Sequence, residues 1–271
     1  MDQPPASASA DTASLVEVRS YFVRGRNALV TRGQFGPLFV DYYLHAADHG
    51  LRLAESLDGI MKEALVCMAL HLAAKPRTEE HAWTVNFHHP RANFFVTGDN
   101  RGSTIAGRCF TENVLVREQQ LFYAQQLKAN APLHQSTVEF AGGSFLRAAE
   151  QYYTQSEQRP ARFFEFGDED YVMISAQPQC DVDWLMALTP ESIRLLDQNE
   201  ELSLLETRGY RWECGCTVEK LYNALLPHAR RDMDSIFAGE EVLKATCPRC
   251  GQRYFIDREQ LEAWLTMREA Q

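Results

Sequence analysis

The sequence lacks an apolar run long enough to cross a lipid bilayer. Its most apolar stretch, residues 64–74, contains His71, whereas a membrane-spanning helix needs about 20 consecutive apolar residues. Residues 1–14 are rich in Ala, Ser, Asp and Pro and lack the positive start and apolar centre of a secretory signal peptide. We therefore expect a cytoplasmic protein that does not bind membranes, with a disordered tail over residues 1–17.

Positive charge is also scarce. The chain has 27 Lys and Arg against 37 Asp and Glu, a formal net charge of −10, whereas proteins that bind the phosphate backbone without sequence preference normally carry a basic face. The phosphate-binding pattern Gly-x-x-x-x-Gly-Lys-Ser/Thr does not occur. We therefore expect neither nucleic acid nor a nucleotide among the partners.

Three of the seven cysteines stand alone, at positions 67, 109 and 180. Thiols stay reduced in the cytoplasm, so the cysteine count does not indicate a disulfide scaffold. Cys67 lies in an apolar predicted helix and Cys109 in a predicted strand, which indicates buried, unreactive thiols. Cys180 lies at a predicted domain boundary, where we expect greater exposure.

The order of helices and strands predicts an α+β fold. A strand with a turn over residues 18–31 is followed by helices over about 37–55 and 58–74, and another helix starts after Ser144. His71 is predicted to be a hydrogen-bonded core residue. The remaining predicted strands are residues 83–87, 94–97, 114–116, 121–123, 137–140, 162–166 and 171–176. Because strands and helices come in separate runs, α+β is favoured over a strictly alternating fold.

Residues 181–211 differ from the rest, since leucines alternate irregularly with acidic residues. We predict short amphipathic helices lying on a larger domain. Two interpretations stay open: an ordinary packed linker, or a segment that folds conditionally and exposes its apolar face when its support is lost. The predicted domains are a core over residues 18–178, a helical linker over 179–211 and a small unit over 212–271.

The small C-terminal unit carries two close cysteine pairs, Cys214 with Cys216 and Cys247 with Cys250, separated by 30 residues. Four thiolates suit one tetrahedral Zn²⁺, and a unit with so few apolar residues needs a metal to stay folded. Thiolates are also the form that oxidants attack. The pattern thus predicts a zinc site that is either a permanent structural site or a redox sensor. His81, His88 and His89 have no recognisable ligand spacing, so we do not expect them to bind metal.

Other functions use similar cysteine patterns. A thiol–disulfide oxidoreductase places its Cys-x-x-Cys at the start of a helix in a βαβ unit, whereas Cys247 and Cys250 lie in a predicted two-stranded ribbon, so we do not expect an enzyme. A zinc ribbon that binds other proteins without redox switching is the main alternative. An iron–sulfur site would be recognised by visible absorbance.

Several segments of the chain form a pattern together with the cysteine pairs. They are residues 152–160, 214–216, 234–236, 247–251 and 254–255. This pattern resembles the heat-shock protein 33 family of redox-regulated chaperones. Residues 152–160, Tyr-Tyr-Thr-Gln-Ser-Glu-Gln-Arg-Pro, are similar to the family's helix-ending Ser-Glu-Gln signature, and a looser similarity extends back to about Val18. The chain departs from the family's Gly-rich turn at residues 88–91.

The resemblance implies an ATP-independent holdase that is inactive while four cysteines bind one zinc ion. Oxidation would join Cys214 to Cys216 and Cys247 to Cys250, release the zinc and unfold the linker. The exposed apolar surface would then bind unfolding client proteins, with homodimer formation in the oxidised state. The residues we predict for client binding are Trp184, Leu185, Met186, Leu195, Leu196, Leu204 and Leu205.

Overall fold

The structure is a computed structural model that describes residues 15–129 and 131–269. Most of the tail predicted over residues 1–17 lies outside the described residues. The prediction was wrong at its end, because Val16 and Glu17 already belong to the first strand. No helix within the described residues is both long and apolar enough to cross a membrane.

Twelve strands and nine helices are found among the described residues. The strands are β1 (Val16–Val23), β2 (Ala28–Gln34), β3 (Glu79–Phe87), β4 (Ala92–Asp99), β5 (Thr104–Phe110), β6 (Gln120–Lys128), β7 (His134–Phe140), β8 (Ala161–Phe166), β9 (Asp170–Ala176), β10 (Leu202–Trp212), β11 (Val242–Thr246) and β12 (Arg253–Asp257). The helices are α1 (Gly36–Asp48), α2 (Glu55–Ala73), α3 (Phe145–Gln155), α4 (Val182–Ala187), α5 (Pro190–Arg194), α6 (Leu196–Asn199), α7 (Val218–Ala229), α8 (Met233–Phe237) and α9 (Arg258–Glu269).

Ten strands form one sheet in the order β7-β6-β3-β4-β5-β10-β1-β2-β9-β8. All neighbours are antiparallel except β5 and β10, which pair in parallel over Thr104 with Arg211 and Ile105 with Trp212. Strand β10 therefore joins two parts, which we call the first half-sheet (β1, β2, β9 and β8) and the second half-sheet (β3 to β7). The α+β prediction is confirmed.

Helix α2 packs against strands of both half-sheets. The sheet approaches the helix so closely that a Cβ atom on Gly98 would lie 2.4 Å from Leu72 Cδ1, and one on Gly107 would lie 2.4 Å from Met61 Cε. Glycine in these strands therefore permits the contact between helix and sheet. The buried residues of α2 are Ile60, Met61, Ala64, Leu65, Val66, Cys67, Met68, Ala69, Leu70, His71, Leu72 and Ala73.

His71 is a hydrogen-bonded core residue, as predicted. Its Nδ1 atom is 2.8 Å from the Tyr153 hydroxyl and its Nε2 atom is 3.1 Å from Nδ1 of His81. His81 Nε2 lies 3.0 Å from a carboxylate oxygen of Glu79, which also pairs with Lys128. Both ring nitrogens of each histidine are thus occupied within a buried network. Burial lowers the pKa of His71 well below its usual value and lowers the pKa of His81 to about 4.

This network predicts that acid destabilises the fold. An unfolded histidine has a pKa near 6.5, so the unfolded chain binds more protons than the folded chain as the pH falls from about 6.5 towards 4. The free energy of unfolding should therefore drop over this range, by up to about 1.4 kcal/mol per pH unit for each histidine. Urea unfolding between pH 7.5 and 5 measures the slope. The H81Q variant should show a shallower slope than the unmodified protein; equal slopes in the two proteins would contradict the prediction.

The segment predicted as a helical linker contains both helices and a strand. Helices α4 to α6 pack on the outer face of the first half-sheet, where Leu185, Leu188 and Ile193 meet Val30 and Ile174 in one apolar cluster. The predicted helix was wrong for residues 202–211, which belong to β10. The leucines of this stretch are compatible with the spacing of a helix or of a strand, and the aromatic residues Tyr210 and Trp212 favour a strand. Backbone pairing with β1 decides for the strand.

Two smaller predictions were also wrong. Helix α1 ends at Asp48 rather than near residue 55, because Gly50 adopts φ +62° and the chain turns. Residues 114–116 form no strand: Val114 is buried but Leu115 and Val116 are both exposed, so they lack the alternation of a paired strand.

Candidate metal centre

The four paired cysteines come from two chain segments that meet beside β5 and α1. Cys214 and Cys216 follow β10 after a single residue, Glu213. Cys247 directly follows β11, and Cys250 lies just before β12. The last turn is held by hydrogen bonds from Gly251 N to Cys247 O (2.9 Å) and from Cys247 N to Gln252 O (2.8 Å). Gly251 has φ +82°, which a residue with a Cβ rarely adopts.

The four sulfur atoms form a compact group. All lie within 4.8 Å of one another, and the Sγ atoms of Cys214 and Cys247 are 3.6 Å apart, those of Cys216 and Cys250 3.5 Å. A tetrahedron with Zn–S bonds of about 2.3 Å has sulfur–sulfur edges of about 3.8 Å. The cluster is therefore able to hold a metal ion with little movement, and its all-sulfur donor set suits zinc.

Electrostatics also favours a cation here. The pKa of Cys214 is raised to about 12, first by its hydrogen bond with Cys247 and then by burial, and the pKa of Cys250 is raised by its hydrogen bonds with Cys214 and Cys247. The pKa of Cys247 is lowered because Cys214 and Cys250 hydrogen-bond to it. Four thiols this close cannot all ionise together unless a cation compensates their charge.

The Cys247–Cys250 turn is docked on the large domain. Cys247 and Cys250 are only 4% and 1% exposed and belong to the main core cluster. Arg108 on β5 donates to Cys247 O (3.3 Å), and Nε2 of His45 on α1 lies 3.1 Å from Cys250 O. The pair nearer β10, Cys214 and Cys216, is half-buried, and the Tyr254 hydroxyl donates to Cys216 Sγ (3.0 Å). The centre thus lies where the small unit meets the large domain.

The small unit has little apolar core of its own. Thr217 accepts a hydrogen bond from Lys220 N at the start of α7, and Asp257 accepts one from Gln260 N at the start of α9. Its buried apolar cluster consists of Tyr222, Phe237, Ile256 and Leu261. A core of four buried side chains is small for an independent unit, so a bound metal would contribute much of its stability.

The isolated cysteines and the three histidines lie elsewhere. Within the part of the chain that the structure describes, the four paired cysteines are the one group able to hold a metal. Cys67 is fully buried with a raised pKa, and burial raises the pKa of Cys109 to about 12; both are weak nucleophiles, as predicted. His81 belongs to the buried network, and His88 and His89 line a surface hollow beside Gly142.

The residues predicted for client binding do not form one continuous face. Leu185 and Leu196 are buried against the first half-sheet and Trp184 packs beside them. Met186, Leu195, Leu204 and Leu205 are exposed. Sequence reasoning did not identify the sheet residues beneath the helices as part of this apolar surface. The sequence of β9 carried a signal, because a continuous apolar run indicates a strand that is covered on both faces. In the structure β9 is buried along its whole length.

The fold and the site together define a class: an α+β protein with four clustered cysteines, able to hold a metal ion, that begin one residue after strand β10. A family model described as Hsp33 protein matches residues 173–257, from β9 to β12. The chain is 33% identical over 78 residues to the 33 kDa chaperonin of Caldanaerobacter subterraneus subsp. tengcongensis (28% of this chain, 26% of the relative). It is 26% identical over 156 residues to that of Edwardsiella ictaluri (48% of this chain, 53% of the relative).

The match to these curated relatives spans about a quarter to about half of their length. The fold is that of a solved structure, the 33 kDa chaperonin (heat shock protein 33 homolog) of Thermotoga maritima. That structure matches with a TM-score of 0.69 at 16% identity, over 94% of this chain and 99% of the other. The chain is thus similar in sequence to the Hsp33 family model over residues 173–257 and similar in fold to the solved Thermotoga maritima protein.

Proposed function

We propose that this protein is a cytoplasmic, ATP-independent holdase chaperone whose client-binding surface is covered while Cys214, Cys216, Cys247 and Cys250 hold zinc. One observation carries the proposal. A single residue, Glu213, separates β10 from Cys214, so the metal centre fixes the end of the strand that joins the half-sheets. The names of the curated relatives, all 33 kDa chaperonins, support a chaperone role.

Bound zinc would supply a divalent charge that keeps all four sulfurs ionised. Those thiolates keep the C-terminal unit docked against Arg108 and His45, and thereby keep the end of β10 in place. Four thiolates around one divalent ion leave a formal charge of −2, which keeps the sulfurs nucleophilic. The half-buried pair, Cys214 and Cys216, is the part of the site that a small oxidant reaches from solvent.

The oxidation step requires an oxidant such as a peroxide. Each pair of thiolates loses two electrons and forms one S–S bond, while the peroxide takes up two electrons and two protons and becomes two water molecules. Sulfurs joined in disulfides are no longer thiolate ligands, so the ion is lost and the small unit loses the main source of its stability.

The pairing of the sulfurs is a separate part of the proposal. Resemblance to the family implies Cys214–Cys216 and Cys247–Cys250, whereas the shortest sulfur contacts join Cys214 to Cys247 and Cys216 to Cys250. We expect the local pairs, because the members of each pair are close in sequence and stay so whether or not the two segments remain together. Peptide mapping of the oxidised protein by mass spectrometry distinguishes the two pairings, and a dominant Cys214–Cys247 link would contradict this expectation.

Loss of the docked unit would free the linker and uncover apolar surface. Helices α4 to α6 lie over Val30, Phe164, Val172 and Ile174 of the first half-sheet. A continuous exposed patch of this kind is typical of a surface that binds other proteins. Unfolding client proteins are the proposed partners, and two oxidised chains would pair through the same surface as a homodimer.

The test uses zinc-loaded, reduced full-length protein. Peroxide at raised temperature should release about one zinc per chain and convert four thiols to disulfides, and the product should suppress aggregation of a denatured client without ATP. Untreated protein and protein reduced again after oxidation are the controls. Zinc release without suppression of aggregation would contradict the chaperone proposal and would favour a zinc ribbon that binds partners without redox switching.

A further inference from the structure

We propose that the space occupied by β10 is itself a binding site for clients, and that it takes an extended segment of an unfolded polypeptide as an added strand. We call this space, between β1 and β5, the β10 slot. The inference rests on the proposed function, because the slot opens only when the linker is released. It differs from the apolar face under α4 to α6, since it is a site for backbone pairing.

The pairing of β10 shows what its departure would leave behind. Eight residues of β1, Val16–Val23, pair with β10, whereas β5 contributes only Thr104 and Ile105. Release of β10 therefore leaves unpaired the N–H and C=O groups of alternate residues along this eight-residue stretch, since the groups of the other residues face β2. An unpaired strand edge is a template for another strand, because its backbone groups need hydrogen-bond partners. Strand addition is a recurring way to bind extended peptides.

The dimensions of the slot suit one strand. Neighbouring strands lie about 4.8 Å apart, so removal of one strand between two others leaves a gap of about 10 Å. Helices α1 and α2 lie beneath this gap. Two side chains of β10 fill the space above them: Tyr210, whose hydroxyl donates to Asn100 Oδ1 (2.8 Å), and Trp212, whose ring centroid is 6.4 Å from that of Tyr42.

A positively charged side chain, Arg208, is the third feature of β10 that shapes the slot. The guanidinium group of Arg208 donates to Leu72 O (2.9 Å) and Lys75 O (2.7 Å) at the C-terminal end of α2. Cations are favoured at this end of a helix, where the last carbonyl groups lack partners within the helix. The departure of β10 would remove these donors. Leu72 O would still accept from Asn100 Nδ2 (3.0 Å), and the two carbonyl oxygens would remain an acceptor site for a cation in the slot.

The inward-facing residues of β10 thus define the chemistry of the ligand. Arg208, Tyr210 and Trp212 alternate, so they lie on one face of the strand. The outward positions are less restricted, since Leu204 and Leu205 are 59% and 58% exposed. We therefore expect the slot to prefer extended segments with the pattern basic–x–aromatic–x–aromatic. Segments of this composition are normally buried in folded proteins and become available when a client unfolds.

A fluorescent peptide with the sequence of residues 202–212 tests the inference. It should bind saturably to the oxidised, zinc-free full-length protein and at least tenfold more weakly to the reduced, zinc-loaded protein, in which β10 fills the slot. A peptide carrying Thr207→Pro and Gly209→Pro should lose at least tenfold in affinity, because proline interrupts strand pairing. The Tyr210→Ala peptide should also bind weakly, whereas the Leu204→Ala peptide, altered at an outward position, should bind like the parent.

Aggregation of a denatured client is measured on the same samples. Oxidised protein that suppresses aggregation but binds no peptide, or binds the proline peptide equally well, overturns the slot and leaves the chaperone proposal standing. Peptide binding without suppression of aggregation would support the slot and contradict the chaperone proposal. A parent peptide that competes with the client, while the proline peptide does not, is the result we expect.

Discussion

Replacing Cys247 with serine should reduce zinc content from about one ion per chain to almost none and unfold the small C-terminal unit. Cys247 is buried and lies 3.6 Å from Cys214 within the sulfur cluster, so its loss removes one of four ligands from the interior of the site. Structural zinc sites contribute about 10–16 kcal/mol. The four buried side chains of the unit's own core cannot replace a contribution of that size.

Metal content by a chromogenic chelator and hydrogen exchange over residues 213–268 measure the two effects. Cys180→Ser is the matched control, since Cys180 is a half-buried thiol outside the sulfur cluster, and it should keep its zinc. If the C-terminal unit communicates with the linker as proposed, Cys247→Ser should also suppress client aggregation without an oxidant. A Cys247→Ser protein with full zinc content and an unchanged exchange pattern would contradict the metal assignment.

The site could be predicted from the sequence because its chemistry is local. Cys214 with Cys216 and Cys247 with Cys250 are close in sequence, and thiol pairs with this spacing suit few ligands other than a metal. The docking contacts of the site could not be predicted from the sequence, because Arg108 and His45 lie more than a hundred residues before the cysteine turn that they contact. No periodicity in the sequence indicates a contact between such distant segments.

The linker was predicted less well, for a different physical reason. The helices over residues 182–199 have strong local signals: Thr189 and Ser192 form a reciprocal cap at α5, and Asp181 caps α4. The strand that follows depends on a partner about 190 residues earlier, since Tyr210 pairs with Val16. Its leucines alone are compatible with a helix, and only pairing with β1 decides the outcome.

Truncating Tyr210 to alanine should separate release of the linker from loss of zinc. Tyr210 is 1% exposed and belongs to the main core, and its hydroxyl donates to Asn100 rather than to a cysteine of the cluster. Loss of a buried aromatic side chain costs about 3–5 kcal/mol, a large part of the 5–15 kcal/mol that typically stabilises a folded domain. Because the loss falls on β10, we expect this strand to detach while the sulfurs still hold the ion.

The reduced Tyr210→Ala protein should therefore suppress client aggregation without an oxidant, keep about one zinc per chain and lose hydrogen-exchange protection over residues 202–212. Tyr210→Phe keeps the ring and removes only the hydroxyl, at a cost of about 1 kcal/mol, so it should stay inactive until oxidised. Tyr222→Ala, in the core of the small unit, should instead weaken zinc retention. If Tyr210→Ala loses protection in β10 and keeps its zinc but does not bind clients, the covered surface is not under the control of this strand, and the metal centre must act on client binding by another route.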